Sequence, residues 1–447
     1  MTAAEAPADP RPAGAFAALR ALHSRNYRLY FAGQGLSLIG TWIQNLALSW
    51  LVFSLTGSAF LLGLVGFSAQ IATFALSPFA GVLVDRFSRH RLVVATQSAF
   101  LVQALVLGVL VLTRAITVGQ IIALSTVLGL VNAFDMPARQ ALVIEMIERR
   151  EDLPNAIALN SSMFNGARLI GPAIAGILIG AVGEGVCFLI NAASYVAVIV
   201  ALLAMRLAPR PPAPARRRVW HELREGFDYA FGFLPTRAIL LLLAAVSLAA
   251  MPYSTLMPIF ASQVLHGGAR TLGFLSAATG IGALVGAILL ASRSTVLGLG
   301  RWIWLAAGGF GLALVGFGLS RSLPLSLVVL AVAGFAMITH MAASNTILQT
   351  VVDDSRRGRV MSFYIMAFIG MTPFGSLLAG SLATHIGAPR TVMLGGVVCV
   401  LGAAAFARQL PAVRRLVRPI YRERGIIPEV ATAVQAAAED AGLSERR

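Results

Sequence analysis

Polar residues along this chain are bunched into short breaks. Between them run apolar stretches of about 20 residues, the length an α-helix needs to cross the hydrocarbon core of a bilayer. Twelve such stretches can be traced: 29–55, 59–84, 92–113, 116–135, 156–180, 185–206, 238–261, 271–292, 302–320, 324–348, 360–384 and 390–408. A helix satisfies its own backbone hydrogen bonds in lipid and an irregular loop does not, so the pattern predicts an all-α membrane protein with twelve transmembrane helices. The longest polar break, 208–237, contains Pro211-Pro212-Ala213-Pro214 and Arg216-Arg217-Arg218 and reads as a cytoplasmic linker. It separates a six-helix bundle at 29–207 from a second at 238–410, with tails at 1–28 and 411–447.

The arginines set the orientation. Breaks after even-numbered spans hold Arg86, Arg89 and Arg91, then Arg139, Arg149 and Arg150, then Arg210 and the 216–218 run, then Arg293 and Arg301, then Arg356, Arg357 and Arg359. Breaks after odd-numbered spans hold one arginine or none: Arg114, Arg270, Arg321 and Arg390. Short Arg-rich loops stay in the cytoplasm, so the even breaks and both tails face inside. The net charge of +16 is therefore topological, because a nucleic-acid surface would not alternate from break to break. No nucleic-acid partner is expected.

Composition agrees with this placement. Only 12% of residues are charged, against roughly 25% in soluble domains, so most of the chain meets lipid or other apolar helices. Every basic residue is Arg, which excludes a Walker A lysine and a Schiff-base lysine. Cys187 and Cys399 fall inside apolar runs and read as small packing residues rather than a disulfide. The first 28 residues, Ala/Pro-rich with four arginines, read as a tail and not as a cleaved signal peptide.

The two halves repeat. Asn155 to Gly180 carries Gly171 and Gly176, and Arg359 to Thr384 carries Gly375 and Gly380, at an offset of 204 residues. Each segment follows a charged loop. With six spans per half, this supports a parallel duplication, an arrangement found in transporters.

Between spans 2 and 3 lies Gly81-Val82-Leu83-Val84-Asp85-Arg86-Phe87-Ser88-Arg89-His90-Arg91. It resembles the major facilitator superfamily signature G-x-L-x-D-R-x-G-R-[KR]-[KR] at that same loop, with Ser88 in place of a glycine and His90 in place of a basic residue. Asp135-Met136-Pro137-Ala138-Arg139-Gln140, Asn26-Tyr27-Arg28-Leu29-Tyr30-Phe31 and Gly40-Thr41-Trp42-Ile43-Gln44 are similar to the branch that contains enterobactin-type siderophore exporters and macrolide efflux proteins. The resemblance runs from about residue 20 to 410 and implies the major facilitator fold. It also implies that Gly81, Asp85, Arg86 and Arg89 form an inner gate. Asp85 would face the start of span 11 near Arg359, where a helix N-terminus favours a carboxylate. Arg89 would pair with Asp135 at the inner end of span 4, beside Arg139. A plain interfacial ion pair is the other reading of Asp135 and Arg139. The second-half counterpart, Gly286 to Arg293, lacks the Asp, so the gate is asymmetric.

Span 5 carries Gly166, Gly171, Pro172 and Gly176, which resemble the antiporter signature G-x-x-x-G-P-x-x-G-G, with Ala167 and Ala175 in two glycine positions. Export is what this resemblance implies; a packing face without directional meaning is the alternative. Arg168 is the one charge placed deep in a span on these boundaries, sharing a helix face with Ser161 and Asn165. It reads equally as a substrate or coupling contact and as a structural hub. Gln34, Thr41, Gln44 and Asn45 stripe span 1, and Asn132, Tyr253, His340 and Asn345 add polar groups to spans 4, 7 and 10, the spans that line the cavity in this family. Helix–helix hydrogen bonding is the other reading of each. His340 can titrate near neutral pH, as a coupling residue would, although a lone histidine more often packs structurally.

No H-E-x-x-H, no paired intramembrane carboxylates and no G-x-S-x-G on a suitable turn are present, so neither an enzyme, a metal site nor a cofactor is expected. The expected function is alternating-access export of a hydrophobic or amphipathic small molecule (drug, siderophore or secondary metabolite), by a monomer in the inner (plasma) membrane with both termini cytoplasmic. A dedicated lipid or metabolite transporter is the alternative. On these boundaries all 19 acids fall in loops, tails or span ends, so protons as the coupling ion rest on the resemblance alone. Asp85→Asn is expected to abolish transport at unchanged membrane abundance; transport at the wild-type rate in that variant would remove the gate role of the 2–3 loop.

Overall fold

The computed structural model describes residues 15–84, 87–207, 227–293 and 295–426. Helices follow one another through all of them. In the first half these are α1 (Arg25–Thr56), α2 (Ala59–Val84), α3 (Arg89–Leu112), α4 (Val118–Met146) and α5 (Leu153–Leu203). The second half contains α6 (Leu234–Ala249), α7 (Tyr253–Ile259), α8 (Ala269–Ala291), α9 (Leu299–Leu319), α10 (Leu323–Val351), α11 (Asp354–Ile365), α12 (Thr372–Ile386) and α13 (Ala388–Glu423). Single π-helical turns, Phe260–Val264 and Met366–Gly370, follow α7 and α11.

Among the described residues, eleven helical segments are long and apolar enough to span a membrane. Twelve crossings result because α5 holds two. Its 51 residues would extend about 76 Å as one rod, more than twice the hydrocarbon thickness. At Gly183 the backbone leaves the helical region (φ 81°, ψ 171°), and the chain turns there between spans 5 and 6. Only glycine adopts that conformation without strain.

Contacts divide the chain into two compact units, Met1–Arg216 with Ala261–Ala277, and Arg217–Phe260 with Ala278–Arg447. Local sequence explains where the helices start. Thr117 and Gln120 form a capping box at the head of α4, side chain and backbone bonding reciprocally at 2.8 and 3.4 Å. Ser88, which replaces the signature glycine, caps α3 by accepting from the Arg91 N–H at 3.5 Å. Hydroxyls inside spans bond back to the preceding turn, as Thr41 does to the Ser37 carbonyl (2.9 Å) and Ser98 to Val94 (2.8 Å). Val102, Leu105, Val106 and Val109 stay exposed along α3. That apolar stripe would be a liability in water and suits lipid.

Within each unit, small residues set the helix approaches. Gly129 of α4 lies on the Ala69 carbonyl of α2, and Gly334 and Gly282 bring α10 and α8 into backbone contact. Gly171 packs on Trp42 and the Ile39 carbonyl of α1; Gly375 packs on the Leu248 carbonyl of α6. The fifth span of each half thus leans on the first span of the same half through equivalent glycines. The repeat also extends to register: α4 and α10 both have 29 residues, and 118 to 323 and 146 to 351 are the same offset of 205. Gly183→Val is expected to destabilise the protein by about 1–3 kcal/mol, read as a lower thermal unfolding midpoint in detergent, whereas Gly166→Ala, with no neighbour within 4 Å of the added carbon, should leave it unchanged.

Candidate functional site

Polar side chains in unit 1 converge on a cavity of about 100 Å³. Gln34, Thr41, Gln44 and Asn45 reach it from α1, Asn132 and Arg139 from α4, Gln97 and Phe100 from α3, and Tyr195 from α5. The span-1 stripe and Asn132 therefore come together, as the sequence suggested they could. Gln44 donates to Gln103 Oε1 (3.1 Å) and accepts from Asn191 Nδ2 (2.8 Å), so part of the stripe ties α1 to α3 and α5. Thr41 lies 3.3 Å from the Tyr195 hydroxyl. The Oε1 atoms of Gln34 and Gln97 are buried without a partner among the described residues. At roughly 30 Å³ per water, the volume admits about three waters or one small polar group, well short of the several hundred Å³ that a drug-sized solute fills.

Asp135 is the main correction. The apolar run ends at 135, which led to a span end there, but α4 continues to Met146 because Leu142, Val143 and Met146 remain buried on its inner face. Asp135 consequently stands mid-helix and fully buried. Its Oδ1 accepts from Thr96 Oγ1 (2.7 Å) and Gln97 Nε2 (2.9 Å), and its Oδ2 pairs with Arg139 one turn along. So an interior carboxylate exists, and Arg168 is not the one deep charge. Pro137, between the pair, has no N–H for the Ala133 carbonyl and loosens the helix at this point.

The expected partner of Arg89 is corrected as well. Arg89 pairs with Glu145 at 2.9 Å, ten residues beyond Asp135. The span boundary had put Glu145 in a loop. His90 binds the Leu202 carbonyl at 2.8 Å, anchoring the start of α3 to the end of α5. Gly81 lies in α2, while Asp85 and Arg86 lie outside the described residues. Arg359 is half-buried in α11.

Other candidates scatter. Asn165 and Arg168 sit half-buried on α5 and do not line the unit 1 cavity; Asn165 donates back to the Ser161 carbonyl at 2.9 Å. In unit 2, Tyr253 stacks edge-on against Phe310 (5.9 Å), and His340 is buried with Nδ1 3.3 Å from the Ile303 carbonyl. Asn345 lines a different pocket near the end of α10. On the antiporter-like helix, Gly171 and Pro172 are buried, and Gly176 meets Gly273 and the Ala269 carbonyl so closely that an added Cβ would lie 2.9 Å from each. A Cβ added at Gly166 would meet no neighbour within 4 Å.

Thr96, Gln97, Gln103, Asn191 and Tyr195 were not singled out from the sequence. The available signal was a lone amide or hydroxyl interrupting an otherwise apolar span, since a polar group in lipid needs a protein partner. Removing one member of the buried pair tests its worth. Asp135→Ala leaves the Arg139 charge uncompensated and should cost about 3 kcal/mol or more. Glu145→Ala, in a pair whose two side chains both keep some exposure, should cost less, about 1 kcal/mol. Thermal unfolding of the two purified variants side by side measures the difference.

The transmembrane secretion effector family model matches residues 13–435. The staphyloferrin A transporter of Staphylococcus aureus is 27% identical over 83% of this chain and 94% of its own length. The multidrug efflux pump Tap of Mycolicibacterium fortuitum is 27% identical over 86% of this chain and 94% of its own, and macrolide efflux protein A of Streptococcus pyogenes is 22% identical over 84% and 95%. A crystal structure of a bacterial homologue of the human lysosomal transporter Spinster superposes with a TM-score of 0.66 at 14% identity, covering 88% of this chain and 98% of that one. With helices of this number, length and internal repetition, the chain belongs to the transmembrane secretion effector family of the major facilitator superfamily, a family of transporters and not of enzymes.

Proposed function

We propose that the protein exports a hydrophobic or amphipathic small molecule across the plasma membrane by alternating access, with both termini cytoplasmic and protons taken up at Asp135 driving the cycle. The bundles 29–207 and 238–410 rock about a site near the bilayer midplane. The 2–3 loop with Gly81, Asp85 and Arg86 closes the inner side, together with Arg89 and Arg359. Three relatives named for transport or efflux support the direction, and the arginine distribution supports the orientation.

The observation that carries the coupling is the pair that the fully buried Asp135 makes with the partly buried Arg139 on the cavity wall. A proton on Asp135 cancels the attraction that holds Arg139 and leaves a net positive charge beside Gln34, Asn45 and Asn132. That charge disfavours a cationic or apolar solute bound beside this wall. Protonation from outside therefore expels such a solute, and its binding from inside expels the proton, which is the sign that antiport requires. A dedicated transporter without multidrug activity is the second reading, favoured by the staphyloferrin A relative, which is named for a single compound.

Dye and antibiotic accumulation in an efflux-deficient host tests this. Wild type should lower accumulation, and both a protonophore and Asp135→Asn should restore it at equal protein abundance. Wild-type export by Asp135→Asn would overturn the coupling role. No change across a broad panel would leave the dedicated reading.

A further inference from the structure

We infer that unit 2 holds a binding site for the phosphate of an anionic phospholipid headgroup, formed where the end of α13 meets the end of α10. Helix α13 has 36 residues and is about 54 Å long, some 15 residues longer than a bilayer crossing needs. Past residue 408 it is two-faced. Leu410, Val413, Val417 and Tyr421 are buried at spacings of three, four and four, and hold the extension against the rest of unit 2. The opposite face exposes Arg408, Arg414, Arg415, Arg418 and Arg422, with Leu416 (45% exposed) among them. None of these five makes an ion pair among the described residues. A row of guanidiniums without an ion pair among the described residues, with an exposed leucine on the same helical extension, matches an anionic lipid surface, which offers both charge and acyl contact.

The extension ends at a pocket. Arg424 Nη2 donates to the Val352 carbonyl at 3.0 Å, fixing the end of α13 beside the end of α10. Next to that bond lies a cavity of about 430 Å³, lined by Arg357, Arg424, Asn345, Thr346, Gln349 and Thr350. Two arginines, two carboxamide residues and two threonines line it together with Ile426, and among the described residues no carboxylate does. The neighbouring Arg356 is occupied over the Tyr229 ring at 4.7 Å, and Asp353 is exposed away from the lining. Guanidinium forks match phosphate oxygens in pairs, and the neutral donors suit the glycerol on either side of a phosphodiester. The volume accommodates both. The arginine row beside it makes a lipid, delivered along the membrane surface, the source of that phosphate.

The test uses full-length protein in mixed detergent micelles, with bound lipid counted by native mass spectrometry and the unfolding midpoint read in parallel. Phosphatidylglycerol should be retained roughly tenfold better than phosphatidylcholine, the value of one charge-assisted contact, and should raise the midpoint. Arg357→Gln with Arg424→Gln should remove the preference. Equal retention of the two lipids by wild type, which needs no variant to fold, overturns the inference. So does full preference in the double variant. Glycerol 3-phosphate or inorganic phosphate reproducing the midpoint shift would assign the pocket to a soluble anion and overturn the lipid source.

Discussion

A charge placed in the hydrocarbon layer must be neutralised inside the protein, because no water is there to solvate it. In unit 1 that constraint ties two helices together, α3 and α4. Asp135 draws Thr96 and Gln97 of α3 and Arg139 of its own helix around it. Those contacts fix the rotation of α3 against α4. They also place Arg139 on the wall of the polar cavity, where α1 and α5 supply the remaining polar groups. Hydrophobic burial cannot do this between helices in lipid, since the tails are as apolar as the side chains. Rotational register in this unit therefore comes from polar contacts and from small residues.

The small residues work by permitting contact. Gly129 against Ala69, and Gly334 and Gly282 against their partners, let helix backbones touch where any Cβ would collide. Close approach multiplies dispersion contacts and brings weak Cα–H donors near carbonyls. Because the same approaches recur in both halves, the duplication is visible in packing as well as in spacing.

Span number and helical class were legible because a 20-residue apolar run has few physical outcomes. The family was legible because the 2–3 loop combines glycine, acid and arginines at fixed spacing at one topological position. Inner helix ends were not legible. Past residue 135 the chain turns amphipathic, with Leu142, Val143 and Met146 buried and Glu145 facing Arg89, so hydropathy alone stops a span ten residues early. That single boundary hid both the buried carboxylate and the true partner of Arg89. The cavity was half legible. A stripe on one helix shows at helical period, whereas Gln97 and Gln103 on α3 and Asn191 on α5 form no such stripe and acquire meaning only when those helices meet.

The repeat also shows why the two halves do different work. With α4 and α10 in register at an offset of 205, Asp135 corresponds to His340 and Arg139 to Ser344. Both second-half residues are buried, as Asp135 is. His340 Nδ1 faces the Ile303 carbonyl, which can only accept, so that nitrogen carries the proton and Nε2 presents a lone pair with no partner. The Ser344 hydroxyl likewise has no partner among the described residues. The same helix position thus holds an ion pair in one half and, in the other, two buried polar groups without a partner among the described residues. Under the proposed coupling, the ion pair of unit 1 is the one whose field a proton at Asp135 changes. The second-half pair offers a ring nitrogen and a hydroxyl as hydrogen-bonding groups at the matching position.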